Sequence, residues 1–285
     1  MEKQGVLTAN FGKTGRRVTR VGLGGEGALR TFGKPEPACE VIRKALDCGI
    51  AYFDTARAYA DSETYYGAVW SEKPRIRSEI FQAGKSAARD RISALRDLDK
   101  TLEQLHTEYL DLWQIHDVRT CGELDQIAGP GGALEAFVEA RDAGKVRYIG
   151  VTGHHDPAVL TEAVLNWPVD AAMMPVNPVE AALGGFITST LPAALQKGIA
   201  VIGMKVLGAS HYILPQAGIS AEHLIRFALS CEITLAIVGC STVSEVEVLA
   251  RTARRFNPLS SSEMTEIAAL YQPYAEQLAF YRGVI

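Results

Sequence analysis

Phe53-Asp54-Thr55-Ala56-Arg57-Ala58-Tyr59-Ala60-Asp61-Ser62-Glu63 follows the apolar residues Ile50-Ala51-Tyr52. An apolar run stops abruptly at a carboxylate, and a tyrosine comes 5 positions later. Ser62-Glu63 then opens a helical pattern through Thr64-Tyr65-Tyr66-Gly67-Ala68-Val69-Trp70. A short apolar strand, a polar loop and a capped helix make one βα step. A carboxylate that closes a buried strand is costly without a partner. Taken alone, Asp54 reads as an N-cap or ion-pair member and Tyr59 as packing. Their meaning depends on what else the chain aims at them.

Two later apolar runs end in the same way. Ile80-Phe81-Gln82-Ala83-Gly84 stops at Lys85, and Leu112-Trp113-Gln114-Ile115 stops at His116. If these strands are parallel neighbours, Asp54, Tyr59, Lys85 and His116 converge at one rim. This arrangement resembles the aldo-keto reductase superfamily, whose tetrad is Asp, Tyr, Lys and His in this order. The likeness extends to Thr19-Arg20-Val21-Gly22-Leu23-Gly24-Gly25 and to Gly144-Lys145-Val146-Arg147-Tyr148-Ile149-Gly150-Val151. It covers nearly the whole chain and is that of a divergent, bacterial-type member. It implies an N-terminal β-hairpin plugging the barrel bottom and a nicotinamide cofactor, NADP(H) or NAD(H), lying across the barrel mouth. It also implies a small-molecule carbonyl substrate, an aldehyde or ketone interconverted with its alcohol.

The rest of the chain keeps a steady beat. Apolar strands are expected at 21–25, 51–54, 80–85, 110–116, 148–152, 171–176, 200–206 and 235–238. Helices are expected at 37–48, 62–70, 92–105, 133–143, 158–165, 190–197, 221–230 and 245–256. A last helix over 262–278 is broken at Pro273. Gly49, Gly144 and Gly198 stop helices, and Asp156-Pro157 opens one. Leu95, Leu98, Leu102 and Leu105 share a helical face. The strands are continuous apolar runs, as in a parallel sheet covered on both faces. Eight such units predict an α/β chain folded as a (β/α)8 TIM barrel, one domain over 1–285, with a hairpin within 5–20 and a C-terminal helical extension. A doubly wound sheet is the alternative, but Gly22-Leu23-Gly24-Gly25-Glu26-Gly27 misses the GxGxxG spacing.

Bulk properties narrow the function. The 285 residues are 47% hydrophobic, ample for a core, and the net charge of −4 gives no electrostatic case for nucleic acid. The five cysteines have no zinc-finger, CxxC or iron–sulfur spacing, so free thiols are expected and no metal. No apolar run approaches the roughly 20 residues of a membrane helix, and a cytoplasmic protein is expected.

The tetrad permits carbonyl reduction. A tyrosine has a pKa of about 10, and a neighbouring ammonium is expected to lower it. Lys85 supplies that charge and Asp54 pairs with Lys85. Tyr59 is then the general acid in reduction and the base in oxidation, with His116 orienting the carbonyl. The resemblance places cofactor contacts at Thr152, Gly153 and His154 after the fifth strand, with His154 standing in for an absent asparagine amide. It further places Met173 where relatives have glutamine, and Met204 with Lys205 where an aromatic often stacks. The stretch Gly239-Cys240-Ser241-Thr242, with Glu245, forms a Gly- and Ser/Thr-rich loop at a helix N-terminus, suited to an anion. Glu245 disfavours strict NADPH dependence, unless Arg251, Arg254 or Arg255 reaches back. The loop 119–132, the C-terminal tail and Trp113, Trp70, Tyr65, His154, His155 and Lys205 are candidates for the substrate wall. Two other readings stay open: a Schiff-base lysine enzyme using Lys85 or Lys205, and a cofactor-binding regulatory subunit without turnover.

Overall fold

The computed structural model describes residues 5–283. β1 (Thr8–Asn10) and β2 (Arg17–Thr19) pair antiparallel as a short hairpin. The repeating units follow: β3 (Val21–Gly27), α1 (Pro35–Asp47), β4 (Tyr52–Asp54), α2 (Ser62–Glu72), β5 (Phe81–Ser86) and α3 (Arg91–Gln104). Next come β6 (Leu110–Ile115), α4 (Cys121–Ala128), α5 (Ala133–Asp142), β7 (Val146–Thr152), α6 (Pro157–Asn166) and β8 (Ala171–Pro175). The chain continues through α7 (Pro178–Leu183), α8 (Leu191–Lys197), β9 (Ala200–Met204), α9 (Ala221–Ser230), β10 (Leu235–Cys240) and α10 (Val243–Arg254). It ends in α11 (Ser261–Tyr271) and α12 (Ala275–Leu278), separated by one 3-10 turn that contains Pro273. β3 to β10 close into a barrel in sequence order, every pair parallel.

Alternate residues of each strand serve two cores. Tyr52, Phe81, Leu112, Met173, Ile202 and Ile237 fill the barrel, while Leu23, Phe53, Trp113, Ile149 and Val151 pack against the helices. Because both faces are buried, polar alternation never shows in the sequence. Aromatic rings close the lower barrel: Tyr52 stacks on Phe81 at 5.1 Å, and Phe11 of the hairpin turn reaches Phe81 at 4.7 Å. The hairpin therefore plugs the barrel, as expected. Gly22 faces this packing; a Cβ there would come within 2.6 Å of the Tyr52 ring.

Two helices stand in stretches expected from the sequence to be loop. Residues 119–132 carry α4, whose N-cap Thr120 accepts a hydrogen bond from the Glu123 amide at 3.2 Å. α7 starts at Asn177, whose Oδ1 accepts from the Glu180 amide at 3.0 Å. Both follow the rule of a polar N-cap with an acidic residue three positions on. Among the described residues no helix is long and apolar enough to cross a membrane.

Candidate active site

Asp54, Lys85 and His116 stand at the C-terminal ends of β4 and β5 and just beyond β6. The Lys85 ammonium donates to Asp54 Oδ2 at 2.5 Å and to the Thr55 carbonyl at 2.9 Å, with both side chains out of solvent. Gln114, next to Lys85 across the β5–β6 register, points its amide at Asp54 Oδ1 from 3.5 Å. The sequence reading missed Gln114, although strand alternation puts positions 112 and 114 on the same inner face.

Tyr59 sits on the β4–α2 loop. That loop is tied to β5 by amide bonds from Thr55 to the Ala83 carbonyl (3.1 Å) and from Arg57 to the Lys85 carbonyl (3.2 Å). The Arg57 guanidinium also pairs with buried Glu63, which fixes the loop to α2. The phenol ring packs against Gly25 of β3, where a Cβ would stand 2.3 Å from ring carbon Cδ2. Lys85 Nζ is 4.6 Å from the ring centroid, the Arg30 guanidinium 5.1 Å, and the His116 ring meets it edge-on at 5.6 Å. His116 is held by its amide on the Ser86 carbonyl (2.9 Å) and by Arg89, which donates to its carbonyl at 3.0 Å. All four expected residues thus share one rim.

Electrostatics sharpen the roles. Burial works against the Lys85 ammonium, but Asp54 with Tyr59 outweighs it and holds the pKa above the ordinary lysine value. Burial raises Asp54, opposed by Lys85 and Gln114. The phenol departs from the sequence expectation. Burial raises the Tyr59 pKa more than Lys85 lowers it, so the resting group is a neutral phenol. Burial also pushes His116 well below the usual histidine range, with Lys85 adding to the effect, so its imidazole is neutral.

The expected cofactor residues divide. Thr152 ends β7 with its hydroxyl accepting from the Asp117 amide at 2.8 Å, leaving the O–H free to donate. Gly153 packs under Leu160, where a Cβ would find atoms at 3.3 Å. His154 is held by the C-terminal tail through Nδ1, 3.1 Å from the Tyr281 carbonyl. Its Nε2 stands 3.1 Å from Asp117 Oδ1 without a hydrogen bond between them. Met173 belongs to the barrel core rather than the mouth, whereas Met204 lies one layer higher and keeps partial exposure. Cys240 is turned into the outer core, its thiol raised to about 12 by burial. Gly239 packs on Glu26, 2.5 Å from where its Cβ would be. Thr242 caps α10, and Glu245 Oε2 accepts from the Ser241 amide at 2.6 Å. The expected anion site at this helix start therefore already holds a carboxylate. Two of the arginines are engaged elsewhere, Arg251 with Glu222 at 2.7 Å and Arg254 with the Cys48 carbonyl at 2.5 Å.

Several candidates for the substrate wall lie away from the mouth. Trp113 stacks on Phe137 at 3.6 Å, and Trp70 packs on Phe53 and donates to Gln82 at 3.0 Å. Tyr65 donates to the Thr31 carbonyl at 2.8 Å. Trp113 and Trp70 thus pack in the layer between barrel and helices, whereas Tyr65, in the first turn of α2, ties that helix to the β3–α1 loop.

The sequence profile of the Aldo/keto reductase family matches residues 20–213. The chain belongs to this family of NAD(P)H-dependent oxidoreductases. L-galactose dehydrogenase of Arabidopsis thaliana is 26% identical over 318 aligned positions, covering 92% of this chain and 93% of its own. A 6-dehydroglucose reductase of Novosphingobium aromaticivorans is 25% identical over 198 positions, 64% of this chain and 62% of its own. Among solved structures, an aldo-keto reductase of Bacillus halodurans in its holo form superposes with a TM-score of 0.78 at 19% identity, covering 93% of this chain and 96% of that one. An aldo-keto reductase of Klebsiella pneumoniae in complex with NADPH gives 0.74 at 21%, covering 94% and 95%. At these identities the structural likeness shows the fold.

Proposed function

We propose that this chain interconverts an aldehyde or ketone with its alcohol, with Tyr59 as the general acid/base. The observation that carries this is the buried Lys85–Asp54 pair directly beneath a neutral Tyr59, with His116 edge-on at the same rim. The strand ends offer groups that fit a nicotinamide cofactor: the free Thr152 O–H and the half-buried Lys205 ammonium as donors, and the partly exposed Met204 thioether as a surface for a ring. When bound, the cofactor supplies a hydride to the carbonyl carbon in reduction and takes one back in oxidation. Tyr59 gives its proton to the carbonyl oxygen. The charge left on the phenolate is met by Lys85, which Asp54 and the Thr55 carbonyl hold in place. Low local polarity makes that ion contact strong. Neutral His116 donates one N–H toward the same oxygen and fixes the carbonyl's direction. In oxidation the phenolate takes the alcohol proton.

Glu245 at the start of α10 suits a cofactor without a further phosphate there, because like charges repel across a helix N-terminus. Two relatives are named for sugar redox reactions, which makes polyhydroxylated carbonyl compounds the first class to assay. The Schiff-base reading needs a neutral amine, and Lys85 is held as an ammonium by Asp54.

The test is nicotinamide absorbance over a panel of aldehydes, ketones and sugars with NADH and NADPH. A parallel borohydride treatment is made without cofactor. Carbonyl-dependent cofactor oxidation supports the proposal. No oxidation with any carbonyl, together with a borohydride-trapped adduct on lysine, would replace it with imine chemistry.

A further inference from the structure

We infer that Gln114 is a positioning residue for the proton transfer: from the inner face of β6 it fixes the Asp54 carboxylate, and through it the Lys85 ammonium beneath Tyr59. The inference rests on the role proposed for Tyr59.

Gln114 is fully buried inside the barrel, two residues beyond Leu112, which belongs to the apolar barrel core. Its neighbours in register are Lys85 on β5 and Gly150 on β7. Gly150 gives the side chain its room, because a Cβ there would stand 2.8 Å from Gln114 Cγ. An amide in this place is a poor choice for packing alone. Among the described residues its Nε2 has one partner, Asp54 Oδ1 at 3.5 Å, and its Oε1 meets no donor. A buried carbonyl oxygen without a donor destabilises a fold, and leucine or methionine would fill the same space without that penalty. The contact with Asp54 is what sets this amide apart from an apolar filler.

The two carboxylate oxygens of Asp54 are held differently. Oδ2 accepts from the Lys85 ammonium at 2.5 Å, whereas Oδ1 has Gln114 as its one donor among the described residues. An ammonium has three N–H groups. Asp54 takes one, the Thr55 carbonyl takes a second at 2.9 Å, and the third remains for the phenolate. With Oδ1 released, the carboxylate can turn about its Cβ–Cγ bond and draw the ammonium off the phenol. The amide also favours the ionised carboxylate against burial, which raises Asp54. The titratable groups around Asp54 are Lys85 on β5, Glu26 on β3, Tyr59 on the β4–α2 loop, Tyr66 on α2 and Tyr52 on β4 itself. Burial keeps the three phenols neutral, and Glu26 opposes ionisation of Asp54. Lys85 and Gln114 are the groups that favour its charge.

The experiment uses the whole chain, unsubstituted and as Gln114→Met and Gln114→Asn. Methionine keeps the length and loses the amide; asparagine keeps the amide and falls one methylene short of Asp54. Circular dichroism and melting temperature check folding. Protein labelled with carbon-13 at the aspartate carboxyl reports ionisation of Asp54 by nuclear magnetic resonance, the signal being the one lost in Asp54→Asn. One hydrogen bond to a charged group moves a midpoint by about one pH unit. Removing the amide takes a donor from the ionised form, so both variants are expected to ionise Asp54 at a pH higher by about that much. In the same variants kcat for carbonyl reduction falls by about tenfold, the same free energy read as a rate. KM stays within about twofold, and the acid limb of the kcat profile moves up in pH with the carboxyl midpoint. A role in packing alone would lower the melting temperature and leave both midpoints in place. An unshifted Asp54 midpoint in a folded variant, or a kcat within about twofold of the unsubstituted enzyme, overturns the inference. The carboxyl titration needs no turnover. A protein that reduces no carbonyl yet shows the shift would refute the proposed function while the hold of Gln114 on Asp54 stands.

Discussion

Tyr59 is placed as much by an absence as by its partners. Gly25 lets the ring lie where a Cβ would stand 2.3 Å from it. Gly25→Ala is therefore expected to swing the phenol off the Lys85–His116 rim. A displacement of about 1 Å costs roughly 10²-fold in turnover. The check is kcat alongside an unchanged far-ultraviolet spectrum; full activity would mean that Gly25 is not the seat of Tyr59. His116 makes a different prediction. Its folded pKa lies well below that of the unfolded chain, about 6.5. Around and below that pH the unfolded state binds a proton that the native state does not, so stability falls as the solution is acidified. Melting temperatures between about pH 7 and 5 should drop less steeply in His116→Gln than in the unsubstituted protein. Parallel curves would assign the acid sensitivity to other groups.

At the scale of elements, the start of α10 makes the clearest prediction. Glu245 accepts from the Ser241 amide, where an anion would otherwise sit. Glu245→Arg should improve NADPH binding relative to NADH by roughly tenfold, the effect of about 1.4 kcal/mol, read as dissociation constants from cofactor fluorescence. No change in the ratio would show that the second phosphate binds elsewhere. The strands and most helices were legible because each carries a local signal: an apolar run for a doubly buried strand, and a stop glycine or an Asp-Pro start for a helix. The convergence of Asp54, Tyr59, Lys85 and His116 was legible because parallel strands put their last residues on one rim. α4 was missed although Thr120 and Glu123 spell its cap, since its apolar stripe is short. The contacts of His154 were not legible, because Tyr281 is 127 residues away and no local pattern encodes the meeting.

Across the whole molecule, the C-terminal tail fastens together the two segments that follow β7 and β8. Arg282 pairs with Glu180, both nearly excluded from solvent, and donates to the Gly184 carbonyl at 2.5 Å. Gly283 bonds through its amide to the His155 carbonyl at 3.1 Å. Removing only the cation leaves a buried carboxylate with the Tyr281 hydroxyl as its side-chain donor and no counter-ion, which costs about 3–5 kcal/mol. Arg282→Met should lose that much in urea unfolding. Lys145→Ala, which removes the exposed pair with Asp99, should lose no more than about 1 kcal/mol. Equal losses from the two would contradict the latch. The hairpin plug, the aromatic lower barrel and this latch leave the upper rim as the face open to chemistry.

In the proposed mechanism the Tyr59 hydroxyl carries the proton. Tyr59→Phe removes that single oxygen and keeps the ring on Gly25. The measurement is single-turnover carbonyl reduction followed by nicotinamide absorbance, paired with cofactor affinity on the same preparation. The expected rate is lower by roughly 10²–10⁴-fold with cofactor affinity unchanged. Reduction by Tyr59→Phe at the rate of the unsubstituted protein would contradict it.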